Sequence, residues 1–191
     1  MGQVRQASTA LRLGWAYDLS SGVDQNLSEA ASWYLLSAKK GNSEAQCRLG
    51  RIAEIGKGLP HDFRVAAHWY GLAADQAHPE ALWRLGLLYR DGDGVARDSL
   101  LAVVLFQLSV GADSPPGRAR GSFDSLAFHL SWEQMEAGHR LMSGLMTGRG
   151  GILAKMDAYH VRRSIDAATY PEWMPEENRP IHFGRTSPTK R

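Results

Sequence analysis

The stretch LGLLYRDGDGVARD, residues 85–98, places two glycines in an acidic segment that is compatible with a cation loop, a phosphate cradle or a simple turn. Comparison of the sequence with itself at an offset of 36 residues decides between them, because three blocks starting near Thr9, Ala45 and Ala81 align without a gap. The alignment superimposes Leu-Gly pairs at 13–14, 49–50 and 85–86, turn glycines at 22, 58 and 94, and alanines at 30, 66 and 102. The acidic segment is therefore predicted to be the turn of a repeat.

Each block is predicted to form a helix hairpin. Apolar residues recur at spacings of three and four in two segments, and a glycine-bearing turn separates them. Asn26, Asp62 and Asp98 hold the same place in the three blocks and are predicted to cap the second helices. Before the first helices, Asn42 suits a cap and Pro79 suits the first helical position. Three blocks therefore predict six helices.

Two recurring features indicate close packing between these helices. A glycine inside a helix costs about 1 kcal/mol relative to alanine, so Gly14, Gly50 and Gly86 predict a close helix contact. The turn glycines are predicted to have positive φ. The pairs Trp33-Tyr34, Trp69-Tyr70 and Leu105-Phe106 repeat on the second helices and are predicted to form core between repeats.

Composition describes a folded protein and identifies no special partner. The 191 residues are 43% hydrophobic and 22% charged, with a net charge of +2 that is too small to indicate nucleic acid or an anionic membrane. Cys47 is the single cysteine, so an intramolecular disulfide is excluded. No apolar run approaches a membrane span and no signal peptide is recognisable. A cytoplasmic location is favoured, and a periplasmic one applies if a signal was removed.

The common catalytic and ligand-binding motifs are absent. In DGDG, residues 91–94, the later calcium-loop positions hold Val95, Ala96 and Ala102. TGRGG, residues 147–151, lacks the end of a phosphate-binding loop, and the sequence has no H-E-x-x-H or G-x-S-x-G. We therefore predict no catalytic residue, no metal and no cofactor.

The segments LGLLYRDGDGVARDSLLA, residues 85–102, and VAAHWYGLAADQAHPEA, residues 65–81, resemble the Sel-one-like repeat family, a relative of the tetratricopeptide repeats. The resemblance implies an all-α fold, a right-handed α-solenoid of helix hairpins built from three 36-residue repeats with C-terminal capping helices. The expected organisation is three repeats over residues 7–113, a helical cap over 114–147, and a hinge, short helix and proline-rich tail over 148–191. Ser131 with Gln134 predicts a capping box for the last cap helix.

The resemblance also implies a function, the binding of a protein or peptide partner in the concave groove lined by the first helices. The implied partner-binding residues are Leu11, Arg12, Trp15, Arg48, Arg51, Trp83, Arg84, Leu87 and Arg90. The alternative for the arginines is structural, since they also suit bridges between hairpins to Glu44, Glu54 or Glu80. An inhibitor or immunity-type protein that blocks a cognate enzyme or toxin is the second function considered, and an enzyme with a cleft beside the tail is a weaker third.

The C-terminal segment lies outside the resemblance. Its aromatic and acidic residues are predicted to dock on the array of the same or a neighbouring molecule, which includes self-association through the tail. The residues predicted to make that contact are Trp173, Met174, Glu176 and Glu177. A mobile terminus is the competing interpretation, because termini rich in proline and charge are commonly disordered.

Overall fold

The computed structural model describes residues 2–112 and 115–146, and all of these that lie in regular structure are helical. Six helices form three consecutive hairpins, and two further helices follow. Their bounds are α1 Gly2–Asp18, α2 Leu27–Ala38, α3 Ser43–Ile55, α4 Phe63–Ala74, α5 Pro79–Asp91, α6 Ser99–Gly111, α7 Ala119–Ala127 and α8 Trp132–Met146. Helices α1 to α7 each pack chiefly on their neighbours in the chain, whereas α8 packs chiefly on α6. This arrangement confirms the all-α solenoid of three repeats.

The predicted caps begin the helices where the repeat places them. Asn26, Asp62 and Asp98 each accept backbone N–H groups at the start of α2, α4 and α6. Asn42 caps α3, and Pro79 stands in the first turn of α5. Because these side chains satisfy donors that a helix end leaves unpaired, they set the same phase for every hairpin.

The glycines of the first helices allow the close contact that the sequence predicts. A Cβ on Gly50 would lie 2.6 Å from the ring of Tyr70, and a Cβ on Gly86 would lie 2.6 Å from the ring of Phe106. Gly14 would meet Tyr34 in the same way. The rings on each second helix therefore lie directly on the backbone of the first helix.

The turn glycines have positive φ in all three repeats, as predicted. Gly58 and Gly94 also pack against the preceding hairpin, where a Cβ would contact the backbone of Leu27 and of Phe63 respectively. DGDG is thus a helix end followed by a packed turn, with Gly92 as the left-handed cap of α5.

The aromatic pairs of the second helices form core, with one exception. Tyr34, Trp69, Tyr70 and Phe106 are at most 2% exposed. Trp33 departs from the prediction because it is only half-buried and lines an open cleft. No helix of the described residues packs on that side of the first hairpin.

The two helices after the repeats cover the far end of the array. Ser131 Oγ accepts from Gln134 N at 3.2 Å, and Ser131 N donates to the Gln134 side chain at 2.9 Å, which confirms the capping box before α8. Gly138 on α8 lies close to Leu100 and Val104 of α6. The apolar face of α6 is therefore covered by helices from the same chain.

Candidate partner-binding surface

The first helices place equivalent side chains in register, and one of these registers is buried. Leu11 is 9% exposed, Cys47 is 5% exposed and Trp83 is 7% exposed. Trp83 Nε1 donates to Ser122 Oγ of α7 at 3.0 Å, so the next helix covers the indole. Leu11 and Trp83 are therefore core residues in this structure, which differs from the expectation that they face a partner.

Arg48 and Arg84 each hold a carboxylate on their own helix. Arg84 Nε lies 2.6 Å from Glu80 Oε1, and Arg48 Nε lies 2.7 Å from Glu44 Oε1. Each guanidinium also reaches the preceding first helix, since Arg84 Nη1 lies 3.1 Å from Glu54 Oε2 and Arg48 Nη1 lies 3.8 Å from Asp18 Oδ2. These arginines bridge the hairpins, which is the structural alternative that the sequence left open.

A tyrosine of the same repeat hydrogen-bonds each carboxylate at the end of a first helix. Tyr34 OH donates to Asp18 Oδ2 at 3.0 Å, and Tyr70 OH donates to Glu54. Burial and the Asp18 carboxylate raise the pKa of Tyr34, so the phenol stays a proton donor. Arg51 adds a second cation on Asp18 at 3.0 Å. The buried Asp18 carboxylate thus accepts hydrogen bonds from Tyr34 and Arg51 and has Arg48 as a more distant cation.

The third repeat breaks this pattern. Phe106 takes the place of the tyrosines and Arg90 takes the place of the carboxylates. Arg90 pairs instead with its neighbour Asp91, at 2.7 Å between Nη2 and Oδ2. In the third repeat the first helix therefore carries a partly exposed cation where the first two repeats carry the carboxylates Asp18 and Glu54.

His78 is a site residue that the sequence analysis missed. Its Nδ1 accepts from Ala81 N at 3.3 Å as the cap of α5, and its Nε2 lies 3.0 Å from Glu44 Oε2. The hydrogen bond to His78, together with Arg48, lowers the pKa of Glu44 to about 2. The signal was present, because His78 stands one repeat after the cap Asn42.

Arg12 stands at the position of Arg48 and Arg84 in the first repeat but, among the described residues, lacks their ion pairs. It is exposed, and no ion pair joins it to the part of the chain that the structure describes. Arg48 and Arg84 reach back to a carboxylate on the previous first helix, and within residues 2–146 no such helix precedes α1. Trp15, one turn after Arg12, is half-buried, and its Nε1 is buried without a hydrogen-bond partner among the described residues.

We use the term first-helix surface for the accessible members of this set. They are Arg12, Trp15, Arg48, Arg51, Arg84, Leu87 and Arg90. Every member is exposed or half-exposed, and five of them are arginines. Such a surface suits a partner that offers carboxylates and an apolar side chain, because arginine binds carboxylates with a forked donor and stacks on aromatic rings.

Residues 2–112 and 115–146 give no support for a metal site or a reactive thiol. Within those ranges no group of three or more His, Cys, Asp and Glu side chains has the arrangement of a metal site. Burial raises the pKa of the Cys47 thiol to about 12, and Glu44 and Glu80 add to that shift. No helix in the same ranges is long and apolar enough to span a membrane. The predicted tail contacts Trp173, Met174, Glu176 and Glu177 lie outside the described residues.

Comparison with known proteins gives one family and two similar structures. The Sel1 repeat model matches residues 7–42, 43–78 and 79–111. A Sel1 repeat protein from Oxalobacter formigenes is 29% identical with a TM-score of 0.56, over 62% of this chain and 88% of that one. The protective antigen c5321 of uropathogenic Escherichia coli, which displays an SLR fold, is 22% identical with a TM-score of 0.54; the match covers 81% of this chain and 37% of that protein. No curated protein sequence matches.

Proposed function

The chain belongs to the Sel1 repeat family, whose members are generally protein–protein interaction scaffolds, and we propose that it holds a protein or peptide partner on its first-helix surface without catalysing a reaction. The supporting observation is the row of arginines beside Trp15 and Leu87. Within that role, the chain acts as an adaptor that holds its partner for another process. A non-catalytic role accords with the general character of the family.

The chemistry of the partner follows from how the chain uses its own arginines. Arg84 carries a carboxylate on either side, and its Cζ lies 5.5 Å from the centre of the Trp83 ring. Arg12 has the equivalent place one turn before Trp15, and it has no carboxylate from the described residues. A partner's Asp or Glu at Arg12 would reproduce the contact that Glu54 makes with Arg84.

The remaining members of the surface divide by their surroundings. Arg51 and Arg90 are 33% and 40% exposed and keep guanidinium edges in solvent despite their ion pairs. Leu11 and Trp83 are buried and do not belong to this surface. The acidic segment at Glu176 and Glu177 is a second ligand with the chemistry that this proposal requires, so it is expected to compete with a partner.

Affinity capture from the native host's lysate tests the proposal. The full chain is compared with Arg12→Glu and with Arg118→Glu, a charge reversal at an exposed arginine before α7. We expect a captured protein to be lost with Arg12→Glu and kept with Arg118→Glu. Arg48 and Arg84 are poor positions for this test, since their replacement would also break the bridges between hairpins.

The comparison also separates the alternatives. A chain truncated after Ala168 should capture more of the partner if the acidic segment competes. Equal capture by all variants would overturn binding at Arg12. Capture of one enzyme or toxin whose activity falls in the complex would instead support the inhibitor considered from the sequence.

A further inference from the structure

The first hairpin exposes apolar side chains that its successors bury. Leu13 is 37% exposed, whereas Leu49 and Leu85 at the same position are each 1% exposed. Trp33 is half-buried, and its equivalent Trp69 is 2% exposed. Among the described residues, no helix other than α1 and α2 lines this face of the first hairpin.

The exposed face surrounds a cleft of about 380 Å³ between α1 and α2. The residues that line the cleft are Gln6, Thr9, Ala10, Leu13, Trp33, Leu36 and Lys40. We call Leu13, Trp33 and Leu36, the accessible apolar residues of this lining, the open face. Clefts of this size accommodate one or more side chains of a partner, and contiguous exposed apolar residues bordered by polar ones are typical of interaction sites.

The charges that flank the open face form a symmetric pattern. Glu29, Trp33 and Leu36 follow one another along one side of α2, and Lys40, two residues beyond its last residue Ala38, lines the cleft with Trp33 and Leu36. Glu29 stands four residues before Trp33, and Lys40 stands four residues after Leu36. Both charged side chains are exposed. The order acidic, apolar, apolar, basic is therefore complementary to itself when it is reversed.

We propose that two copies of this chain pair through antiparallel α2 helices about a two-fold axis. Glu29 of each copy then faces Lys40 of the other, and Trp33 of each copy packs on Leu36 of the other. A two-fold interface of this kind must be self-complementary, because the same patch meets itself. The pairing covers the open face of both molecules, and none of the residues that line the cleft belongs to the first-helix surface.

The charge pattern selects a second copy over other occupants. An unrelated helix could fill the cleft, but it has no reason to match Glu29 and Lys40 reciprocally. A parallel or head-to-tail contact would not bring both Glu29–Lys40 pairs together. The antiparallel pair forms both ion pairs at once and places the apolar residues between them.

The oligomeric state of the full chain tests the proposal. Sedimentation velocity and light scattering from low to high micromolar concentration should show a reversible dimer. Glu29→Lys and Lys40→Glu should each weaken the dimer roughly tenfold or more, because like charges then face each other twice. Arg120→Glu and Glu133→Lys, at exposed positions in α7 and α8, should leave it unchanged.

Mixing the two single variants provides the decisive step. Glu29→Lys alone puts lysine against lysine, and Lys40→Glu alone puts glutamate against glutamate, whereas a mixed pair restores two opposite charges. We expect the mixture to recover dimer affinity near that of the wild type, with the mixed pair seen by native mass spectrometry after mass labelling of one variant.

Three results would overturn the pairing. They are a wild-type chain that is monomeric at every concentration, a dimer that is insensitive to both reversals, and single variants that do not recover on mixing. A monomer in which Trp33 is protected from acrylamide quenching, by comparison with Trp33→Phe, would show that another segment of the same chain covers the open face.

Discussion

Arg84 Nη1 lies 3.1 Å from Glu54 Oε2, which belongs to the preceding repeat, and Arg48 makes the corresponding longer contact with Asp18. In both cases the carboxylate also accepts a hydrogen bond from the hydroxyl of a tyrosine on the second helix. Arg48 and Arg84 thus each join two hairpins at the point where a tyrosine of the earlier hairpin already binds the carboxylate.

Replacement of Arg84 by leucine should lower the free energy of unfolding by about 1 to 2 kcal/mol, between the values for exposed and buried ion pairs. Arg84 is 21% exposed, and its loss would leave Glu54 and Glu80 without their cation. Arg12→Leu is the matched control at the equivalent position and should change stability by less than about 0.5 kcal/mol. Chemical denaturation measures both; an equal effect at the two positions would argue against the bridge.

Gly50→Ala should destabilise the protein by about 1 to 3 kcal/mol, although alanine is the better helix former. The added methyl group would lie 2.6 Å from the Tyr70 ring, so the ring or the helix must move. Gly121→Ala is the control in α7, where a Cβ meets nothing within 4 Å and stability should stay the same or rise. Thermal unfolding distinguishes the two, and a stabilised Gly50→Ala protein would refute the close contact.

Gly41 and Ala77 occupy the same position in consecutive repeats, and both have positive φ, at 83° and 56°. Left-handed backbone costs a non-glycine residue about 1 to 2 kcal/mol, so Ala77→Gly should stabilise the protein by about 1 kcal/mol. Gly41→Ala should destabilise it by a similar amount, because a Cβ there meets no atom within 4 Å and only the backbone preference changes. Changes of the same sign in urea denaturation would contradict this account.

Glu44 should make stability depend on pH at the acid end. Its pKa is lowered from 4.5 to about 2 by His78 and Arg48, so its stabilising effect is complete above pH about 4.5 and disappears as the pH falls through about 2. Glu44→Gln should therefore cost about 1 to 2 kcal/mol at neutral pH, after allowance for partial exposure, and little near pH 2. Denaturation at several pH values measures the difference, with the exposed Glu133→Gln as a control; a difference that does not change with pH would exclude ionisation of Glu44 as the cause.

The fold was predictable because its signals are local and repeat. A cap such as Asp62 or a glycine such as Gly50 has a meaning within one hairpin, and the recurrence of each feature at an offset of 36 residues reduces the ambiguity of a single occurrence. The role of His78 as a helix cap was not predicted because histidine is uncommon at that position. Only its position relative to Asn42 identifies it.

The site was less predictable because exposure depends on the neighbouring hairpin. A tryptophan beside an arginine is typical of an interaction anchor. In this structure, however, α7 covers Trp83, and the indole N–H donates a hydrogen bond to Ser122 Oγ. Trp33 stands at a position that the repeat predicts to be core, yet no preceding hairpin among the described residues buries it. Residues that are equivalent in the repeat therefore differ in exposure according to their place in the array.

The regular spacing of the bridges has an evolutionary consequence. Arg48 stands thirty positions after Asp18, and Arg84 stands thirty positions after Glu54. Removal of residues 43–78 would therefore place Arg84 thirty positions after Asp18, in the same register. Tyr34 would still anchor the acceptor, and the second helix of the first hairpin would meet a first helix with the same Leu-Gly pair. Recombination can therefore add or delete whole hairpins, because each new junction repeats the contacts of the existing ones. The number of hairpins can then change in evolution independently of the side chains on their surface.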